Sequence, residues 1–170
     1  MIHKLRRSRQ ALSPAECAAV LERGTSGVLA LSDSQGQPYA MPLSFVHVDG
    51  KLYFHCAKSG YKLEILAENA KASFCVIDQD EIKPEELTTY FRSVILFGTI
   101  RVLEDDEEKR SAIEKLTLKY APESSPERRA AAIDREWDRL CMWEFQVEHM
   151  SGKEAIELVK KGKGVGNQFD

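Results

Sequence analysis

At 170 residues, 43% hydrophobic and 30% charged, the chain has the make-up of one globular domain with room for a sizeable core. A net charge of −3 gives no general field for nucleic acid or an anionic membrane surface. No apolar run reaches the ~18 residues of a membrane span and the N-terminus lacks a signal-peptide core, so a cytoplasmic location is expected. Cys17, Cys56, Cys75 and Cys141 lie far apart without a CxxC pair, so neither a zinc site nor a disulfide framework is expected, and no metal ligand is assigned.

The elements follow in chain order. Residues 1–10 carry Arg6, Arg7 and Arg9 and read as a flexible basic arm, either solvated or binding. A helix then starts at Ser13 as N-cap, with Pro14 in the first position and Glu16 completing a capping box, and stops at Gly24. Strands are predicted at 27–32, 39–48 and 51–57, the last two joined by the two-residue turn Asp49-Gly50. A helix over 60–69 and a strand over 71–78 come next, then a long strand over 92–104. Two helices, near 105–120 and 125–140, precede a final strand at 141–150. The Gly- and Lys-rich tail, 160–170, is expected to be flexible. This pattern predicts a single domain over 1–170, mainly β, with six antiparallel strands closing into a barrel and helices packed outside.

Two strands say more. In 141–149, Cys141, Trp143, Phe145 and Val147 alternate with Met142, Glu144, Gln146 and Glu148, so one face should be wet. In 94–103 both parities are apolar, which calls for a second cover, by a helix or by another copy of the chain. A homodimer is the expectation.

The Asp49-Gly50 turn predicts that Val48 faces Lys51, Val46 faces Tyr53 and Ser44 faces His55. Leu43, Phe45, His47, Leu52, Phe54 and Cys56 then share an inner face, while Pro42, Ser44, Val46, Tyr53, His55 and Ala57 share the other. Pro42 removes a ladder donor, which marks either an edge or bulge, or a strand whose neighbouring amides face a ligand. Lys62 is the odd residue. It sits in the first turn of a helix that follows Ser59-Gly60, where a cation costs about 0.3–1 kcal/mol against the macrodipole. It is either a surface lysine or one of two partners, with the bare amides after Gly60, of a phosphate. Residue chemistry therefore points to a phosphorylated small molecule lying across the 41–57 hairpin.

The segments "MPLSF" (41–45), "LYFHCAKSGYKLEIL" (52–66) and "TTYFRSVILFGTIRVLEDDEEKRSAIEKLTLKY" (88–120) resemble the pyridoxamine 5′-phosphate oxidase-like flavoproteins, in particular the branch related to 5-nitroimidazole resistance. The resemblance spans roughly residues 5–158. It implies a six-stranded split β-barrel of Greek-key type, a homodimer, and FMN held between the subunits. Carried over by position, Gly60, Tyr61 and Lys62 would bind the FMN phosphate, and the backbone of Met41, Pro42, Leu43 and Ser44 would line the isoalloxazine edge. His55, Cys56 and Ala57 would follow the ring and ribityl chain, Ser93 and Val94 would approach the cofactor, and Trp143 would reach it across the dimer. His55 is the implied catalytic residue, as a proton donor or substrate contact beside the ring.

One departure matters. Pyridoxamine phosphate oxidases proper end in an Arg-rich, Trp-containing segment that grips the vitamer, whereas this chain ends "KGKGVGNQFD". The implied function is therefore an FMN-dependent oxidoreductase acting on a small electron-poor molecule rather than on vitamin B6. The alternatives are a non-catalytic flavin carrier, with FMN or FAD, and a haem-binding split barrel with His55 or His47 as ligand.

Overall fold

The computed structural model describes residues 6–164, with side chains through Lys160. Helix α1 (Pro14–Arg23) starts as expected: Ser13 Oγ accepts from the Glu16 N–H, and the Glu16 carboxylate accepts from the Ser13 N–H at 2.6 Å. Strands β1 (Ser26–Ser32), β2 (Pro38–Ser44), β3 (Val46–Val48) and β4 (Lys51–Ala57) follow, then α2 (Tyr61–Glu68). Strands β5 (Lys71–Lys83) and β6 (Thr88–Val102) are joined through a 3-10 turn at Pro84–Glu86. Helices α3 (Asp106–Tyr120) and α4 (Pro126–Glu136), strand β7 (Leu140–Glu154) and α5 (Ile156–Gly164) complete the chain.

All seven strands belong to one antiparallel sheet, in the order β2-β1-β5-β6-β7-β4-β3. The fold is thus mainly β with flanking helices, as expected, but with seven strands instead of six. The extra strand arises because the 39–48 run breaks at Phe45: β2 pairs with β1, whereas β3 pairs with β4. These two end strands are consecutive in sequence, so Ser44 and Val46 lie within about 7 Å of each other. The sheet must therefore roll until its ends meet. The seam at Phe45 carries no ladder, and the barrel stays split there.

Inside the roll, Leu29, Phe45, Leu52, Phe54, Phe74, Val76, Val94, Leu96, Trp143 and Phe145 form the principal core, closed at one side by Cys17, Val20 and Leu21 of α1. A second core lies outside the sheet. There Val46, Tyr53, Leu140 and Met142 are covered by Ala112, Ile113 and Leu116 of α3 and Ile133 of α4. This overturns the expected wet face of β7, because Met142 is 0% exposed and Glu144 only 6%. Glu144 is tolerated there because Lys51, Arg101 and the Tyr53 hydroxyl all meet its carboxylate.

The Asp49-Gly50 turn forms with both residues at positive φ, 50° and 74°, and the Val48–Lys51 and Val46–Tyr53 pairs follow in register. On β6, the ladder to β7 shifts between Phe97 and Gly98, and a side chain at Gly98 would meet the Gln146 carbonyl at 1.9 Å. Only glycine allows that close bulge. Two terminal expectations change. Ser8–Gln10 of the expected arm forms a 3-10 turn with Gln10 buried, and α5 reaches into the expected tail. The rest of those segments, 1–5 and 165–170, lies outside the described residues. No described helix is long and apolar enough to cross a membrane.

Candidate functional site

Three helices begin with a side-chain cap: Ser13 on α1, Asp105 on α3 and Ser125 on α4. Helix α2 does not. Its N-cap is Gly60, at φ 121° and ψ 161°, which supplies no side chain for the first-turn amides. A Cβ at Gly60 would meet nothing within 4 Å, so the approach to this end of the helix is open. The helix itself is firmly placed. Ile65 is buried, with Leu63 and Leu66 packed on the barrel core. Asn69 Nδ2 donates to the Ser32 carbonyl at 3.0 Å. The Tyr61 hydroxyl donates to the Asp33 carboxylate at 3.0 Å, and its ring meets that of Tyr39 edge-on at 5.4 Å.

Tyr61 thus braces the start of α2 on the β1–β2 turn and leaves only its backbone N–H for a ligand. Sequence reasoning missed Asp33 and Tyr39. Asp33 reads as an ordinary turn residue, and nothing local links it to a tyrosine so far along the chain.

Lys62, in the first turn, is half-exposed. Its ammonium lies close enough to the end of β4 to act on Cys56. Burial, then the neighbouring Cys141 thiol, push the Cys56 thiol well above its usual range, and Lys62 pulls it the other way. The thiol faces inward, on a cross-strand pair with Cys141, so Cys56 can offer a ligand only its backbone. His55 and Ala57 point outward and are exposed. Crowding by protein atoms holds the His55 imidazole below its usual pKa although the ring touches solvent.

On β2, Met41 and Leu43 pack against the inner core, while Pro42 is exposed on the outer face. β2 ends the hydrogen-bonded order, paired on one side only, which is where a proline is tolerated. The free side of the strand carries the backbone of 41–44. β2 and β4 approach each other across the split.

Four expected placements change. Ser44 pairs with Ser26 of β1 rather than facing His55, because the chain leaves the hairpin at Phe45. Tyr53 is 9% exposed beneath α3, with its hydroxyl on Glu144, so it is not available beside His55. Val94 and Trp143 are both 0% exposed within the inner core of their own chain. Neither side chain reaches an outer ligand, and Trp143 cannot reach across to a partner. Ser93, half-buried, shares the outer face with Ile77 and Ile95.

The outer face also holds a row that no helix covers. The register aligns Pro42, Val28, Cys75 and Ile95 across four strands, with Phe97 further along β6. Val28, Ile95 and Phe97 are 41%, 40% and 41% exposed, large apolar residues in mid-sheet. Among the described residues, no group of three or more His, Cys, Asp or Glu gathers as a metal site.

The sequence profile described as pyridoxamine 5′-phosphate oxidase matches residues 13–154. The chain belongs to this family. Among solved structures, it is similar to a candidate 5-nitroimidazole antibiotic resistance protein from Bacteroides thetaiotaomicron VPI-5482, at 21% identity, covering 85% of this chain and 86% of that one, with a TM-score of 0.70. It is similar to an FAD-binding protein from Mesorhizobium loti, at 27% identity, coverage of 86% and 97%, and a TM-score of 0.62. An FAD- and haem-binding protein from Mycobacterium smegmatis shares 24% identity, with coverage of 86% and 73% and a TM-score of 0.67. No curated protein sequence matches the chain.

Proposed function

We propose that the protein is an FMN-dependent oxidoreductase of the pyridoxamine 5′-phosphate oxidase family, acting as a homodimer on a small electron-poor molecule. The observation that carries this reading is the start of α2: uncapped amides, an open approach and Lys62, beside the outward face of His55 and Ala57. The donor set suits a phosphate dianion, through backbone N–H groups and one ammonium. The unpaired edge of β2 over 41–44, to which Pro42 adds a carbonyl but no N–H, suits the heteroatom edge of a flavin ring.

In this reading Tyr61 and Lys62 hold the phosphate, while Met41 to Ser44 orient the ring through the backbone. FMN, when bound, supplies the electron transfer that the protein's own side chains cannot. His55 stands free of ion pairs among the described residues and is biased toward the neutral imidazole, ready to hydrogen-bond a substrate or hand on a proton. The apolar row from Pro42 through Val28 and Cys75 to Ile95 begins at the flavin-side strand. A second copy covering that row would close the same region to water, and in this reading the cofactor lies at the edge of the subunit interface. Ser93 lies on that face as well and is the β6 residue available to a partner's cofactor.

The test is the absorption spectrum of the purified protein, before and after FMN is added, followed by a screen of reductants and nitroaromatic acceptors. Flavin bands with turnover support the proposal. Flavin bands without turnover for any acceptor indicate a carrier, and a colourless protein that takes up no FMN removes the reading. A haem-binding alternative rests on the exposed His55 imidazole; it predicts a Soret band that the His55→Ala variant loses.

A further inference from the structure

Two cysteines far apart in the sequence meet in the sheet. Cys56, one residue from the end of β4, stands directly opposite Cys141 of β7. Both are free thiols. Both pack on the inner core, Cys141 buried and Cys56 half-buried. The two thiols hydrogen-bond each other. The other cysteines have no such neighbour in the ladders: Cys75 stands between Val28 and Ile95 on the outer face, and Cys17 is buried on α1.

The ladder sets the spacing of the pair. The Val147 N–H donates to the Gly50 carbonyl, in the register that continues along β4 and β7. Moving two residues at a time along both strands makes Cys56 and Cys141 a hydrogen-bonded pair as well. Such a pair holds its Cα atoms about 5.5 Å apart, inside the roughly 4.4–6.8 Å that a disulfide spans. Its Cβ atoms, however, stand near the wide end of about 4.5–5.5 Å, whereas a disulfide needs about 3.5–4.5 Å. Closing the bond therefore pulls the end of β4 toward β7 and stores strain. A strained bond of this kind is easily reduced and is not a permanent staple.

We infer that Cys56 and Cys141 form a reversible disulfide under hydrogen peroxide, and that the bond loosens the phosphate seat at the start of α2. Cys56, the more exposed sulfur, reacts first. Its thiolate attacks one peroxide oxygen, the O–O bond breaks and hydroxide leaves, giving a sulfenic acid; the hydroxide takes up the thiol proton. The Cys141 sulfur then attacks that of Cys56, the S–S bond forms, the S–O bond breaks and water leaves. Two thiols have lost two electrons, and one peroxide has become two waters. Burial, then the Cys141 thiol, push Cys56 up to about 12, so the pair rests as thiols, while Lys62 favours the attacking thiolate. β4 ends at Ala57 and Gly60 opens α2, so the pull arrives beside the seat. This second half rests on the reading of that seat as the FMN phosphate site; the disulfide itself does not.

The experiment uses the full chain carrying Cys75→Ser, which removes the half-exposed outer thiol and leaves three of the four. After hydrogen peroxide, the free thiols should fall from three to one and the intact mass by two hydrogens. Digestion should yield one peptide pair joined through Cys56 and Cys141, and dithiothreitol should reverse every change. Adding Cys141→Ala should stop the reaction at a sulfenic acid on Cys56, trapped by dimedone. Should that variant melt markedly lower, the joined peptide of the Cys75→Ser chain decides alone. Cys56 and Cys141 left unjoined by peroxide, or joined to other cysteines, overturn the disulfide. By fluorescence titration the oxidised chain should bind FMN at least about 3-fold more weakly than the reduced one. The loss should be regained after dithiothreitol is added and removed. Equal FMN affinity of the two forms overturns the coupling. A reduced chain that binds no FMN removes the seat instead, and the thiol count still decides the disulfide.

Discussion

The backbone N–H of Phe45 donates to the Tyr120 hydroxyl at 3.0 Å, and that hydroxyl donates in turn to the Thr25 carbonyl. The last residue of α3 thereby ties the seam of the barrel to the entry of β1. Because Phe45 is the one residue between the two end strands, this tie sets how far the sheet can open beside β2. Replacing Tyr120 by Phe removes both bonds and leaves the Phe45 amide unpaired. The hydroxyl lies near solvent, so the cost should be near the lower end of the range, about 1–2 kcal/mol. Urea unfolding of Tyr120→Phe checks this, and an unchanged midpoint and slope would show that the seam holds without the tie.

Glu144 supplies a pH prediction. Burial pushes its carboxyl up, but hydrogen bonds from Arg101 and Lys51 outweigh that and hold it below the usual glutamate range. A native pKa below the unfolded value means that the unfolded chain binds the proton more readily. The group's stabilisation is then complete above about pH 4.5 and fades as pH falls through the lower native value. The stability difference between the parent and Glu144→Gln should be constant from pH 6 to 8 and shrink below about pH 4.5. A difference that persists unchanged at pH 3 would mean that the glutamine variant fails by disrupted packing, not by lost charge.

His55 titrates in the opposite chemical sense but with the same sign. Crowding disfavours its imidazolium, so its native pKa lies below the usual value near 6.5. The neutral ring's contribution to stability is whole above about pH 6.5 and is lost as pH falls through the native value. NMR titration of the ring should give a midpoint below 6.5, whereas a midpoint above it would place an unrecognised anion beside the ring. His55→Asn should leave FMN affinity within about 3-fold, under 1 kcal/mol, while lowering turnover.

The uncovered row gives a prediction about assembly. Phe97→Glu puts a carboxylate into an exposed apolar strip without touching the inner core. Light scattering should find the parent at twice the chain mass and the variant at the chain mass, with FMN bound more weakly in the variant. A parent that runs as a monomer at micromolar concentration would remove the subunit interface from the account.

Much of the fold could be read in advance because its signals are local. The capping box at Ser13, the Asp49-Gly50 turn and the uncapped start of α2 each depend on adjacent residues. The failures are all tertiary. Phe45 breaks a run with no Gly or Pro at the break, because a tyrosine 75 residues away takes its amide. The stretch 79–91, rich in polar residues and containing Pro84, carries no strand signal, yet β5 and β6 stay paired out to Lys83 and Thr88. Met142 and Glu144 alternate like solvent-facing residues and are buried because α3 and α4, folded back from elsewhere, lie on them. The site follows the same division. Lys62 and Gly60 could be found from the sequence, whereas the Tyr61–Asp33 brace and the burial of Tyr53, Val94 and Trp143 could not.

The most direct measurement is a comparison of FMN with riboflavin, which lacks the phosphate, by fluorescence titration of the parent and of Lys62→Ala. The parent should prefer FMN strongly, and the variant should lose about 1.5–3 kcal/mol of FMN binding, roughly 10- to 150-fold, while its riboflavin affinity stays put. Equal affinity of the parent for the two flavins, or an FMN preference that survives in Lys62→Ala, would contradict a phosphate seat at the start of α2.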